Sequence, residues 1–133
     1  MSNVTSEIVS KIHLVISVVV VIPVAIVYGF DLESSLNMTP ETTDDFNFLK
    51  AVMGIYLGFS ILWILGIFKN NYLKMALVSN VIFMLGLGFG RLASMIFDGL
   101  PSMGFLAGTV GELLLGWYGV WVLSRKSGIF AKK

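Results

Sequence analysis

The sequence predicts an all-α protein, a four-helix transmembrane bundle with both termini on the cytoplasmic side. Three observations predict it. Hydrophobic residues make up 56% of the 133-residue chain, and charged residues only 13%. The mean hydropathy is +0.88, far above that of a soluble globular mix. The few charges fall in short clusters that separate four apolar runs, each close to the roughly 20 residues a helix needs to cross a hydrocarbon core.

The runs are 12–30, 47–68, 75–97 and 104–123, and they form one transmembrane domain over residues 1–133. In lipid every backbone N–H and C=O must be paired within its own segment, so each run is a helix. A closed barrel needs strict alternation, and the VVVVIPVAIV stretch does not alternate. The first run follows SEIVSK and carries no small-x-small cleavage site, so it reads as a retained helix and not as a signal peptide. Pro23 falls inside it and is expected to kink it, because proline cannot donate to the carbonyl four residues back.

Charge sets the orientation. Lys11, Lys69, Lys74 and the basic tail with Arg125, Lys126, Lys132 and Lys133 belong on the cytoplasmic side. Asp31, Glu33, Glu41, Asp44, Asp45 and Asp98 belong on the other. The segment between the first two runs reads as a polar loop, with Thr43 or Asp44 capping the next helix. The 98–103 segment reads as a tight turn in which Gly99 supplies free φ and Pro101 separates two helices. Gly54/Gly58, Gly86/Gly90 and Gly104/Gly108 are spaced for close helix packing. His13 is expected at the surface or an interface, and Trp63, Trp117 and Trp121 in an aromatic belt. Asn3-Val-Thr5 and Asn37-Met-Thr39 match a glycosylation pattern and read as chance.

Composition also excludes chemistry. The absence of cysteine excludes disulfides, thiolate catalysis and Cys-held clusters. A single histidine excludes a His-cluster metal site or a haem with two His ligands from one chain. A net charge of +1 gives no argument for nucleic acid. GLGFG is no dinucleotide fingerprint, because it lies within a membrane run with no preceding strand. No cofactor and no metal are expected.

What remains is a polar centre in the third and fourth runs. Arg91 sits in the stretch GLGFGRLASMIFDGLPS, inside apolar sequence. A charge at the centre of a bilayer costs roughly 2.5–3.5 kcal/mol by the lower estimates, so it needs a partner. From the helical rise, Arg91 lies about 10 Å and Glu112 about 12 Å below the outer surface. The two helices are antiparallel neighbours, and their side chains lean toward each other in depth. An Arg91–Glu112 ion pair is the expected result. Ser94 and Asp98 share the Arg91 face by spacing, while Lys50 and Tyr56 on the second helix reach the same outer half. The pair either locks two helices in register or handles a ligand or proton.

The run Gly90-Arg91-x-x-Ser94-x-x-x-Asp98-Gly99-x-Pro101-Ser102, with Glu112 in the next helix, resembles a family of small four-helix bacterial membrane proteins of unknown function. In that family the second helix opens with a basic residue, then Ala, Gly and Tyr; here these are Lys50, Ala51, Gly54 and Tyr56, with Lys in place of the expected Arg. The resemblance implies a four-helix bundle broadly like DoxX-like proteins and no activity. The thiol- and quinone-linked roles suggested for some DoxX-like proteins find no support in a chain without cysteine.

Two function classes follow for a multi-pass protein of the bacterial inner membrane. One is a binding or transport module for a lipid-like or small anionic ligand, held by Arg91, Glu112, Lys50, Tyr56, Ser94 and Asp98. The alternative is an accessory or structural subunit of a larger membrane complex, whose partner is another membrane protein or a second copy. An enzyme using Glu112 to shuttle protons ranks third, since no nucleophile–base pair or metal set supports it.

Overall fold

The structure, a computed structural model, describes residues 3–130. Lys132 and Lys133, counted above in the basic tail, lie outside the described residues. Five helices are present among the described residues: α1 (Asn3–Phe30), α2 (Leu32–Leu36), α3 (Thr43–Phe68), α4 (Asn70–Phe97) and α5 (Met103–Phe130). No strand occurs among the described residues. α1, α3, α4 and most of α5 are long and apolar enough to cross a membrane, as a multi-pass membrane protein requires.

The helices are longer than the apolar runs. The expected loop at residues 69–74 shrinks to Lys69, which alone leaves helical backbone (φ −126°, ψ 109°). Its N–H still closes α3 on Leu65 O, and its carbonyl accepts from Tyr72. Polarity alone does not break a helix when the backbone can be paired on both sides. α3 is capped by Thr42, one residue before the first of the expected caps. Thr42 is extended, which aims its hydroxyl at the Asp45 N–H, while Asp45 Oδ2 accepts from the Thr42 N–H at 2.9 Å. Thr43 is already helical and cannot take that role.

The segment expected as a plain loop contains α2. Asp31 Oδ2 accepts from the Ser35 hydroxyl at 2.7 Å and Oδ1 from Ser34. These donors hold the Asp31 carboxyl below the usual range. α2 ends at Asn37, whose φ of 54° is left-handed, a conformation asparagine tolerates. Gly99 takes φ +99° in the turn between α4 and α5, as the sequence leads one to expect.

The long helices form a ring in the order α1, α3, α4, α5, with α5 closing back on α1. α2 lies across the end of that ring, touching α1 and α5. The start of α1 and the finish of α5 therefore lie at the opposite end, the terminal end. Leu14, Trp63, Leu77 and Met84 fill the core. Large apolar side chains such as Val19, Ile61, Ile82 and Leu114 point outward, where lipid is as good a solvent as protein.

Three expectations change. Trp63 is not part of a belt: it is fully buried, donates to Ser79 Oγ at 3.2 Å and meets Phe83 edge-on at 5.3 Å. His13 is not at the surface but fully buried. Of the expected close-packing glycines, Gly104 does pack closely, against Leu36 of α2, and Gly108 lies beside Arg91, but the other four do not. Gly54, Gly58, Gly86 and Gly90 face open space. The helices approach at Gly66, against Ala76, and at Gly119, against Val81 and His13. Four-residue spacing aligns small residues on a face, but only tertiary packing decides which face turns inward. Pro23 sits within an unbroken α1.

Candidate functional site

Arg91 on α4 and Glu112 on α5 meet near the α2 end of the bundle. Arg91 Nε lies 3.0 Å from Glu112 Oε2, and the two side chains are 18% and 12% exposed. The Nε–H is not aimed along that line. Oε2 is thus within ion-pairing reach, yet it is buried and accepts no directed hydrogen bond among the described residues. On its other edge the guanidinium donates from Nη2 to Tyr28 OH at 2.8 Å. Its face lies 5.3 Å from the Phe105 ring centre. The third edge, Nη1, passes Gly108, where an added Cβ would touch it at 3.6 Å. Tyr28 and Tyr56 stand with ring centres 5.5 Å apart, and Tyr56 meets Phe83 edge-on at 5.0 Å.

These groups line a cavity of about 230 Å³. Its walls come from all four long helices, chiefly valines and Pro23 of α1, leucines of α4 and α5, and Met84. Leu36 and Ser35 of α2 close its end. Toward the terminal end of the cavity, α1 and α5 meet at His13. There His13 Nε2 donates to Leu115 O at 3.0 Å and the ring packs on Gly119. Above that contact, Val20 and Pro23 line the cavity while remaining exposed, so its mouth opens on the α1 surface.

Of the residues singled out in the sequence, the structure brings together Arg91, Glu112 and Tyr56. It leaves out the other three. Ser94 donates to Asp98 Oδ2 at 2.8 Å on the exposed face of α4, away from the cavity. Spacings of three and seven residues aligned them with Arg91 along the axis, but the arginine turns inward to Glu112 and Tyr28. Lys50 is exposed and lies over the rings of Phe30 (5.5 Å) and Phe46 (5.4 Å), in a separate hollow bounded by Asp31 and Glu33. Tyr28 lines both hollows.

Sequence reasoning missed Tyr28 as the acceptor for Arg91, although its position closing the first run was visible. It also missed a buried polar face on α1: Ser6, Ser10, His13 and Ser17. Ser10 and Ser17 hydroxyls donate back to Ser6 O (2.7 Å) and His13 O (3.0 Å). Their spacing of four, three and four residues was the available signal. His13 Nδ1 and both ends of the buried Asn80 amide have no partner among the described residues. No three His, Asp or Glu side chains converge on a metal-sized point among the described residues.

A family model described as Domain of unknown function (DUF4345) matches residues 9–123. The chain belongs to that family. The matched span covers Arg91, Glu112, Tyr28 and Tyr56 and every wall of the cavity. No curated protein and no solved structure matches the chain.

Chemically, the site pairs a fixed cation with a carboxylate at the end of an apolar hollow. It offers N–H and O–H donors. That is the usual make-up of a binding pocket: apolar walls with a few convergent polar groups.

Proposed function

We propose that this DUF4345 protein is a membrane-embedded binding module for a lipid-like amphiphile. The ligand's polar end lies against Arg91, Glu112 and the two tyrosines, and its chain leaves past Val20 and Pro23 along α1. The observation that carries this reading is that the largely buried ion pair lines a mostly apolar cavity whose wall includes exposed residues of α1. A pair that served only to hold α4 and α5 in register would need no hollow beside it. The cavity exceeds the roughly 150 Å³ that suffices to hold a benzene ring in an engineered core. Lys50 is a rim residue in this reading, placed to meet headgroups and not the cavity.

Native mass spectrometry of the gently solubilised protein tests it. A small amphiphile should be retained by the wild type and lost from Val24→Trp, which fills the cavity from α1 without touching a charge. A bare chain that co-purifies with a stoichiometric second protein would favour an accessory subunit and end the reading.

The orientation proposed with this function puts the terminal end in the cytoplasm of a bacterial inner membrane. Lys11, Lys69, Lys74, Arg125 and Lys126 gather at that end, and Asp31, Glu33, Glu41, Asp44, Asp45 and Asp98 at the other. Reporters fused after Lys133 or inserted at Lys69 should read as cytoplasmic. One inserted at 38–40 should read as external, so that the cavity sits in the outer half. An external reading at Lys69 would reverse the whole arrangement.

A further inference from the structure

The hollow under Lys50 measures about 310 Å³ and is bounded by the end of α1, the start of α2, residues 39–40 and the first turns of α3. It shares only Tyr28 with the cavity, so what it holds does not depend on the cavity reading. Its charges are not paired with one another. Lys50 Nζ lies over the rings of Phe30 and Phe46, at 5.5 and 5.4 Å, and no carboxylate comes within 4.0 Å of it among the described residues. Asp31 is already engaged, since both of its oxygens accept hydroxyls from Ser34 and Ser35. The Glu33 carboxylate has neither a hydrogen bond nor an ion pair among the described residues. The depth also matters. Lys50 stands seven residues into α3, about 10 Å from its start. Its side chain leans toward the helix N-terminus, one turn along from Phe46, so its stem runs over apolar surface and its ammonium rises toward the level of lipid phosphates.

We propose that this hollow binds the head group of a zwitterionic phospholipid, with its phosphate on Lys50 and its ammonium on Glu33. The phosphate meets a cation that two rings hold in place and that has no counter-ion of its own. The ammonium meets Glu33, with the charge of Asp31 behind it on the same wall. Lys50 alone would anchor any phosphate. The acids supply the discrimination: one positive and two negative side chains leave the hollow net negative, which disfavours a head that carries only a phosphate. A head that is only cationic would have to share the two rings with Lys50. Phe30 and Phe46 are otherwise exposed, which leaves apolar surface beside the hollow for the acyl chains.

The test is native mass spectrometry of the full chain in detergent, titrated with equal amounts of dioleoyl phosphatidylethanolamine and dioleoyl phosphatidylglycerol. The two share acyl chains and phosphate, and only the first carries an ammonium. It should be retained about threefold better, the factor expected of one partly exposed ion pair. Glu33→Gln should leave phosphatidylglycerol bound and bring the ratio to about one. Lys50→Gln should lower retention of both lipids about threefold. Both residues are exposed, so both variants should fold as the wild type does. Free O-phosphoethanolamine at the same concentration should not displace the lipid, because it lacks the chains that rest on Phe30 and Phe46. Full displacement by it would assign the hollow to a soluble ligand and overturn the lipid proposal. Equal retention of the two lipids by the wild type would overturn the proposal, and so would a preference that survives Glu33→Gln.

Discussion

Arg91→Leu and Glu112→Leu are each expected to lower the thermal stability of the detergent-solubilised protein, and the double variant is expected to lose less than their sum. Each single change strands a charge between α4 and α5. In soluble proteins, breaking a buried pair from one side costs roughly 3–5 kcal/mol. The two side chains here retain 18% and 12% exposure, which places the loss toward the lower end of that range. Arg91→Leu also takes the donor from Tyr28 OH and the cation from the Phe105 face, so it should be the worse of the two. The double variant replaces both charges by apolar groups in an apolar setting, and such replacements are often neutral or stabilising. The coupling energy should therefore be about 0.5–3 kcal/mol, measured by a thermal or denaturant double-mutant cycle. Losses that add within about 0.5 kcal/mol would mean that the two groups do not interact. Arg91→Lys supplies a further check. A lysine keeps the charge but not the fork, so it cannot face Glu112 and donate to Tyr28 in fixed geometry, and stability should fall short of wild type.

How much of this could be read from the chain differs between levels. The number and approximate position of the spanning helices were legible, because in lipid the backbone leaves few alternatives to a helix and length alone counts the spans. The Arg91 and Glu112 meeting was legible for a related reason: two isolated charges at matched depth on antiparallel neighbours have few other partners. Side-chain facing was much less legible. Ser94 and Asp98 follow Arg91 at helical spacing, yet they bond to each other on the exposed face while Arg91 turns inward. A membrane helix is apolar on the lipid side and on the core side alike, so its sequence carries little of the contrast that orients a soluble helix. His13 shows the same limit from the other direction. A histidine near a helix end reads as interfacial, and only the neighbouring serines on its face mark the stripe as buried. The cavity was not legible at all, since its walls come from four long helices and α2, and only their packing brings those faces together.

The glycines turn that limit into the second large expected effect. Gly66→Leu should be strongly destabilising, while Gly54→Ala, only three turns earlier on α3, should be neutral or stabilising. At Gly66 any added Cβ would collide with the Ala76 Cβ, with Leu14 Cδ1 at 3.3 Å and the Leu73 backbone at 3.5 Å behind it. Ala76 has no flexible end to move aside, and Leu73 presents main chain. Even a methyl group must push α3 off α4, and a leucine must displace Leu14 from the core as well. Overpacking of this kind typically costs about 1–3 kcal/mol and occasionally more. The loss extends beyond the contact, because α3 carries Trp63 one turn away and Trp63 holds Ser79 and Phe83. At Gly54 nothing lies within 4 Å of an added Cβ, so alanine meets no obstacle. It also removes the backbone freedom that makes glycine about 0.5–1 kcal/mol worse than alanine within a helix. Thermal unfolding of the two variants in one detergent compares them directly. If Gly54→Ala were the damaging change and Gly66→Leu silent, the Gly54/Gly58 face would be the packed one. α3 would then be rotated in the ring, and Tyr56 would leave the cavity with it.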